Sequence, residues 1–254
     1  MQNLKGQVAW VTGAGTGIGE AAAIALAAAG MKLVLSGRRE SELNRVATQI
    51  RQAGGEARVA PLDVTQASAV DALVQDIVNQ EGRIDVAINS AGLNIPKRNW
   101  NQLSREGWDQ VIRIDLDGAF YCCHAVLPVM RRQQGGLIIN VSSMAGKRVS
   151  PMTGPAYSAA KFGLNAMTDS INVENCIHGI RATAVCPGEV ATPILEKRPV
   201  PVSQEDRARM LQPDDLGELM LFLARMPKHV CINEILITPT WNRGLVGAAA
   251  AIPQ

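Results

Sequence analysis

The sequence shows no excess of either charge, no long apolar run and no cysteine pattern, and each absence removes a class of function. Its 25 Lys and Arg against 23 Asp and Glu leave a formal net charge of +2. No face-sized cluster of Lys and Arg occurs, so no nucleic-acid surface is expected. No apolar stretch approaches the ~18 residues of a membrane span, so no membrane partner is expected either. The alanine-rich run Ala21 to Ala29 reads as a packed helix. The start of the chain lacks the basic-then-apolar pattern of a secretory leader, and a cytoplasmic protein is expected. The five cysteines, Cys122, Cys123, Cys176, Cys186 and Cys231, have neither metal-ligand spacing nor an even count. Buried free thiols in a reducing compartment are expected, with no metal and no disulfide framework. His124, His178 and His229 are scattered, and none is expected to be a ligand.

What is present is alternation. With 254 residues, 47% hydrophobic and 19% charged, the chain can bury one substantial core. Strand-like runs are predicted at Gln7–Val11, Lys32–Leu35, Ala57–Pro61, Ile84–Ile88, Leu137–Val141, Ile180–Val185 and Cys231–Ile237. Between them fall helical patterns at Ala21–Ala29, Glu40–Gln52, Ala67–Gln80, Ser104–Arg132, a stretch through Tyr157 to about Cys176, and Asp214–Ala224. Such alternation predicts an α/β fold, a Rossmann-like doubly wound parallel sheet of about seven strands with helices on both faces. No linker or repeat divides residues 1–254, so a single domain is expected. Two long connections interrupt the pattern, Leu93 to Leu103 and Thr192 to Gln212, and the second reads as a substrate loop or lid.

Chemistry concentrates in two places. In Tyr157-Ser158-Ala159-Ala160-Lys161, a tyrosine and a lysine four apart share one helix face. A cation beside a phenol favours the phenolate, which predicts a lowered tyrosine pKa and a group able to move a proton near neutrality. At the other end, Thr12-Gly13-Ala14-Gly15-Thr16-Gly17-Ile18-Gly19 follows the first strand and opens the first helix. Glycines at that turn let a pyrophosphate approach backbone N–H groups at the positive helix end.

These motifs, with NSAG at 89–92, Ser143 and PGEVATP at 187–193, resemble the short-chain dehydrogenase/reductase family over essentially the whole chain. The resemblance implies that Ser143, Tyr157 and Lys161 are catalytic: the serine orients a carbonyl, the tyrosine is acid/base, and the lysine holds nicotinamide ribose. It implies cofactor contacts from Gly13, Gly15, Thr16, Gly17, Ile18 and Gly19, and from Asp63 and Val64 after the third strand. Asn89, Ala91 and Gly92 would support the cofactor side of the sheet, while Pro187, Gly188, Val190 and Thr192 would grip the nicotinamide. It further implies a homotetramer or homodimer acting on a small molecule.

Three departures refine the expectation. Gly37 stands where an NAD-type acid would sit, followed by Arg38 and Arg39, so NADP(H) is preferred with NAD(H) as the alternative. Thr16 stands where many NADP-type relatives carry a basic residue. Asp115 replaces the family's Asn in Asn-x-x-Gly; it is expected to pair with Lys161 and blunt its effect on Tyr157, or to leave the water relay intact. The ending from Asn233 to Thr240 resembles a branch that oxidises serine and related 3-hydroxy acids. Basic pairs Lys97-Arg98, Lys147-Arg148 and Lys197-Arg198 near the crevice could receive an acidic substrate. The apolar tail Gly244 to Ile252 is expected to pack on the body or on a second subunit. A nucleotide-sensing protein without catalysis is the alternative function, against which the intact Ser143, Tyr157 and Lys161 speak.

Overall fold

Backbone hydrogen bonds join the alternating runs into one parallel sheet. The structure, a computed structural model, describes residues 1–198 and 201–242. Its strands are β1 Val8–Thr12, β2 Lys32–Ser36, β3 Glu56–Val59, β4 Val86–Asn89, β5 Gly136–Val141, β6 Ile180–Pro187 and β7 Glu234–Ile237. They lie in the order β3-β2-β1-β4-β5-β6-β7. The helices are α1 Gly17–Ala28, α2 Glu40–Gln52, α3 Ala67–Glu81, α4 Arg105–Ile112, α5 Gly118–Gln133, α6 Pro155–Asn175, α7 Gln204–Arg209 and α8 Pro213–Arg225. The apolar tail lies outside the described residues.

Burial follows the pleat. Successive residues of a strand face opposite sides, and β1 is buried throughout because both sides are covered. Ala9 and Val11 join the core under α1, α2 and α8, whereas Val8 and Trp10 join the core under α3, α5 and α6. The Trp10 indole N–H donates to Ser36 Oγ at 2.9 Å and so has a partner in the interior. The small side chains of α1 have a packing reason: a Cβ on Gly217 of α8 would stand 2.8 Å from the Ala21 carbonyl oxygen. These two helices meet almost backbone to backbone.

From β1 the chain moves outward through β2 to β3, then returns to β4 on the other side of β1. A crevice opens outside the carboxyl ends of the strands at such a reversal.

The structure corrects several expectations. The helix expected over Ser104–Arg132 contains a π turn, Arg113–Asp117, between α4 and α5. The Gly118 amide bonds back to the Arg113 carbonyl, inserting one residue that hydrophobic periodicity does not reveal. The segment Thr192–Gln212 is not without structure: it holds a 3₁₀ turn, Pro193–Lys197, and the short α7, whose Ser203 cap accepts from the Asp206 amide at 3.0 Å. Its two ends lie side by side, with the Ala191 amide donating to Leu211 O at 2.8 Å and the Leu211 amide to Glu189 O at 3.1 Å. β7 begins at Glu234 rather than Cys231. All five cysteines are free, but Cys176 and Cys231 are exposed, in the turn after α6 and the loop before β7.

Candidate active site

A cleft of about 600 Å³ runs along the carboxyl edge of the sheet from β2 to β6. Gly13, Gly15, Thr16 and Ile18 line it, while Gly17 and Gly19 shape the turn from behind. A Cβ on Gly13 would stand 2.8 Å from Ala91 N, and one on Gly19 would stand 2.4 Å from Gly13 O. Gly17 has φ +61°, a left-handed conformation suited to glycine. Thr16 caps α1 without using its side chain, so the first N–H groups of that helix are not consumed by a cap hydroxyl. The turn is held by a residue the sequence reading missed. Arg45 of α2 clasps Glu20 at 2.8 and 2.9 Å, donates to the Gly15 carbonyl at 3.0 Å, and reaches Glu42 at 3.1 Å. Its Glu42 partner, three residues back, is visible in the sequence; the contact with Gly15 is not.

At the β2 end, Gly37, Arg38 and Arg39 line the cleft with Asp63 and Val64. Arg39 Nη2 donates to Thr16 Oγ1 at 3.2 Å, which carries a basic group to the place where the sequence lacks one. A Cβ on Gly37 would meet only Leu43 Cδ2, at 3.6 Å, so nothing steric demands glycine there. Asp63 Oδ1 accepts from the Thr65 amide at 3.0 Å and its hydroxyl at 2.8 Å, which fixes the loop after β3.

Ala91 and Gly92 also line the cleft, but Asn89 does not. Its amide turns inward and donates to Asn140 Oδ1 at 2.8 Å, and Asn140 donates to Thr168 Oγ1 at 2.9 Å. This buried chain ties β4 and β5 to α6, so Asn89 supports the cleft from inside the sheet. Pro187, Gly188, Val190 and Thr192 line the β6 side.

Ser143, Tyr157, Lys161 and Asp115 meet at the centre of the cleft. Ser143 Oγ accepts from the Ala145 amide at 3.0 Å, leaving its own proton to donate. Lys161 Nζ lies 5.4 Å from the Tyr157 ring centroid and donates to Val141 O at 3.0 Å. Asp115 projects from the π turn, is 1% exposed, and places Oδ1 3.2 Å from Lys161 Nζ. Its Oδ2 accepts from the Leu93 amide at 3.1 Å. Of the two expectations for Asp115, the pairing is what the structure contains.

Electrostatics follow from that pairing. Burial pushes the Asp115 carboxyl up, against the downward pull of Lys161 and the Leu93 amide. Burial works against the Lys161 charge, but Asp115 and Tyr157 outweigh it and the net direction is upward. Tyr157 departs from the expected lowering. Burial raises it, Lys161 lowers it, Asp115 raises it again, and the net is upward. The lysine acts in the expected direction, but a linear sequence does not show how much water the fold removes from the phenol.

The three basic pairs separate. Arg98 and Arg198 line the cleft, whereas Lys97 is exposed and Lys147 turns to Glu234 at 3.0 Å. Asn94 and Glu189, absent from the expected set, line it too.

The glycine turn, which any Cβ at Gly13 or Gly19 would fill, suits the close approach of a dinucleotide pyrophosphate to backbone amides. The short chain dehydrogenase family model matches residues 7–201. An uncharacterised oxidoreductase of Staphylococcus aureus is 36% identical over 239 residues, covering 94% of this chain and all of the relative. One from Staphylococcus epidermidis is 33% identical over the same coverage. Among solved structures, a metagenomic short-chain oxidoreductase in complex with NADP superposes with a TM-score of 0.82 at 32% identity, over 95% of this chain and 100% of that one. An alcohol dehydrogenase from the archaeon Thermococcus sibiricus, complexed with 5-hydroxy-NADP, gives 0.84 at 30% identity, over 93% and 98%. With family model, relatives and architecture agreeing, the chain is a member of the short-chain dehydrogenase family and an oxidoreductase.

Proposed function

We propose that this oxidoreductase prefers NADP(H) and interconverts a secondary alcohol, hydroxy acids included, with the corresponding carbonyl compound. The observation that carries the reading is the placement of Tyr157 beside Lys161, with Ser143 in the same cleft, whose other end is the glycine turn. The glycine turn and Lys161 would hold a nicotinamide dinucleotide, which would supply or accept the hydride. Ser143 donates a hydrogen bond to the substrate oxygen, steadying charge that develops there. Tyr157 gives its proton to that oxygen in reduction and takes it back in oxidation. Lys161, held by Val141 O and Asp115, keeps a positive charge beside the phenol and is positioned to meet the ribose. Because burial raises the Tyr157 phenol, it keeps its proton at neutrality, which suits it as the acid of carbonyl reduction.

Gly37, Arg38 and Arg39 at the β2 corner support NADP(H), as do the NADP-type ligands of the two solved relatives. The reading includes one domain over 1–254, residues 192–212 as a substrate loop, a cytoplasmic setting and a homotetramer or homodimer. The test is Tyr157→Phe, which keeps the ring and removes the proton. Turnover should fall about a hundredfold or more with NADPH affinity retained. Near-normal turnover removes the tyrosine from the mechanism.

A further inference from the structure

The start of α2 carries charges of alternating sign, Arg39, Glu42 and Arg45, at every third position and so along one helix face. That face is pressed against the glycine turn: a Cβ on Gly15 would stand 2.9 Å from Glu42 Cβ. Arg39 Nη2 donates to Thr16 Oγ1 at 3.2 Å, and Arg45 Nη2 donates to the Gly15 carbonyl at 3.0 Å. Arg45 also forks onto Glu20 of α1, Nη1 to Oε1 at 2.8 Å and Nη2 to Oε2 at 2.9 Å. Its Nε donates to Glu42 at 3.1 Å. One guanidinium therefore joins two helices, a backbone carbonyl and two carboxylates, in a set of directions that an ammonium group does not offer.

The charges matter because of where they stand. Glu42 lines the cleft together with Thr16, Gly37, Arg38 and Arg39, whereas Arg45 does not line it. Among the described residues, Arg45 is the one cation paired with Glu20 or with Glu42. Glu20 first and Glu42 second raise the guanidinium above its usual pKa, so it stays charged. Without that cation, Glu42 would either repel a 2′-phosphate or compete with it for Arg38 and Arg39. The contact with Gly15 does something different. A trans peptide directs its N–H opposite to its C=O, so fixing the Gly15 carbonyl also fixes the Thr16 amide. This second effect bears on the pyrophosphate, which NAD(H) and NADP(H) share.

We propose that Arg45 is a positioning residue for cofactor discrimination: it holds the Glu42 carboxylate so that the corner formed by Thr16, Arg38 and Arg39 accepts a 2′-phosphate. This rests on the NADP(H) reading above and adds to it a residue that does not touch the cleft. Removing Arg45 then has two separable results. Loss of the Gly15 contact weakens both cofactors alike, and release of Glu42 weakens NADP(H) alone.

The experiment titrates NADPH and NADH into the wild type, Arg45→Met, Glu42→Gln and the double variant, by calorimetry at one low ionic strength, where exposed charges are least screened. The quantity compared is the Kd for NADH divided by the Kd for NADPH. Arg45→Met should lower it roughly fivefold, the scale of one exposed ion pair. Glu42→Gln alone should change it by less than about twofold, because that charge is already compensated, and should restore it when added to Arg45→Met. Arg45→Lys, with charge but no fork, should lose less. Melting temperature shows whether each variant is folded. If Arg45→Met does not fold, Arg45→Lys with and without Glu42→Gln decides by the same criterion. A quotient that Arg45→Met leaves unchanged, whether both cofactors weaken equally or neither does, reduces Arg45 to a brace for the turn and overturns its role in discrimination. So does a fall that Glu42→Gln fails to repair. If the wild type binds NADH more tightly than NADPH, the NADP(H) reading fails, and Arg45 is still judged by how its removal changes the quotient. If neither dinucleotide binds, both fail.

Discussion

At the scale of single residues, Asp115 gives this site its individual character. A buried carboxylate 3.2 Å from Lys161 adds a negative charge that reaches Tyr157. The sign of its effect is definite: Asp115 favours the protonated phenol, so removing its charge lowers the tyrosine pKa. Alcohol oxidation needs the phenolate, hence Asp115→Asn should move the rising limb of the pH–rate profile for oxidation to lower pH. Asparagine keeps the side-chain oxygen that accepts from Leu93, so fold and cofactor affinity provide the control. A limb that stays in place or moves upward would show that the carboxylate is electrically silent toward Tyr157. This residue was legible in the sequence as a substitution and as a possible partner of Lys161. Its enclosure was not, and neither was the burial of the phenol itself, which is the largest cause of the upward direction at Tyr157. Arg98 follows the same logic: a basic pair in a loop looks solvated until the loop is seen folded against Gly154.

At the scale of elements, the corner between β2 and α2 makes the sharpest claim. Gly37 has room for a larger side chain, so the absence of a carboxylate there is a chemical feature rather than a steric requirement. Arg38 beside it can offer charge-assisted hydrogen bonds worth ~1.5–3 kcal/mol to a 2′-phosphate. At ~1.4 kcal/mol per tenfold, NADP(H) should bind roughly ten- to hundredfold more tightly than NAD(H). Gly37→Asp combined with Arg38→Ala should reverse that order, as titration of both cofactors into both proteins will show. Tighter NAD(H) binding by the wild type would place both arginines in solvent. Elements of this kind were largely readable, since strand–glycine–helix punctuation and apolar runs are local signals. The π turn and α7 were not. One arises from a single extra residue in a continuous helix, and the other is too short and polar to carry a periodic signal.

At the scale of the whole molecule, the doubly covered sheet was legible because a parallel arrangement requires crossovers and both faces must be buried. What remains outside that sandwich points to assembly. Phe120 on α5, with Phe162 and Val173 on α6, present large apolar side chains to solvent at 49%, 44% and 79% exposure. Sedimentation at micromolar concentration should give a dimer or tetramer, and Phe120→Asp with Phe162→Asp should shift it toward monomer. A wild-type protein that sediments as a monomer removes the proposed assembly.

The stitched ends of the stretch from Ala191 to Leu211 have a consequence of another kind. Because the chain leaves and re-enters the body at nearly one point, this stretch is topologically a bead on the fold rather than a link in it. Changing its length need not displace Pro187 and Gly188 on one side or α8 on the other. The entropic charge for doubling such a loop is only ~0.6 kcal/mol. A lineage carrying this scaffold can therefore exchange the bead for another and diversify what enters the cleft, while the machinery that handles electrons is inherited untouched.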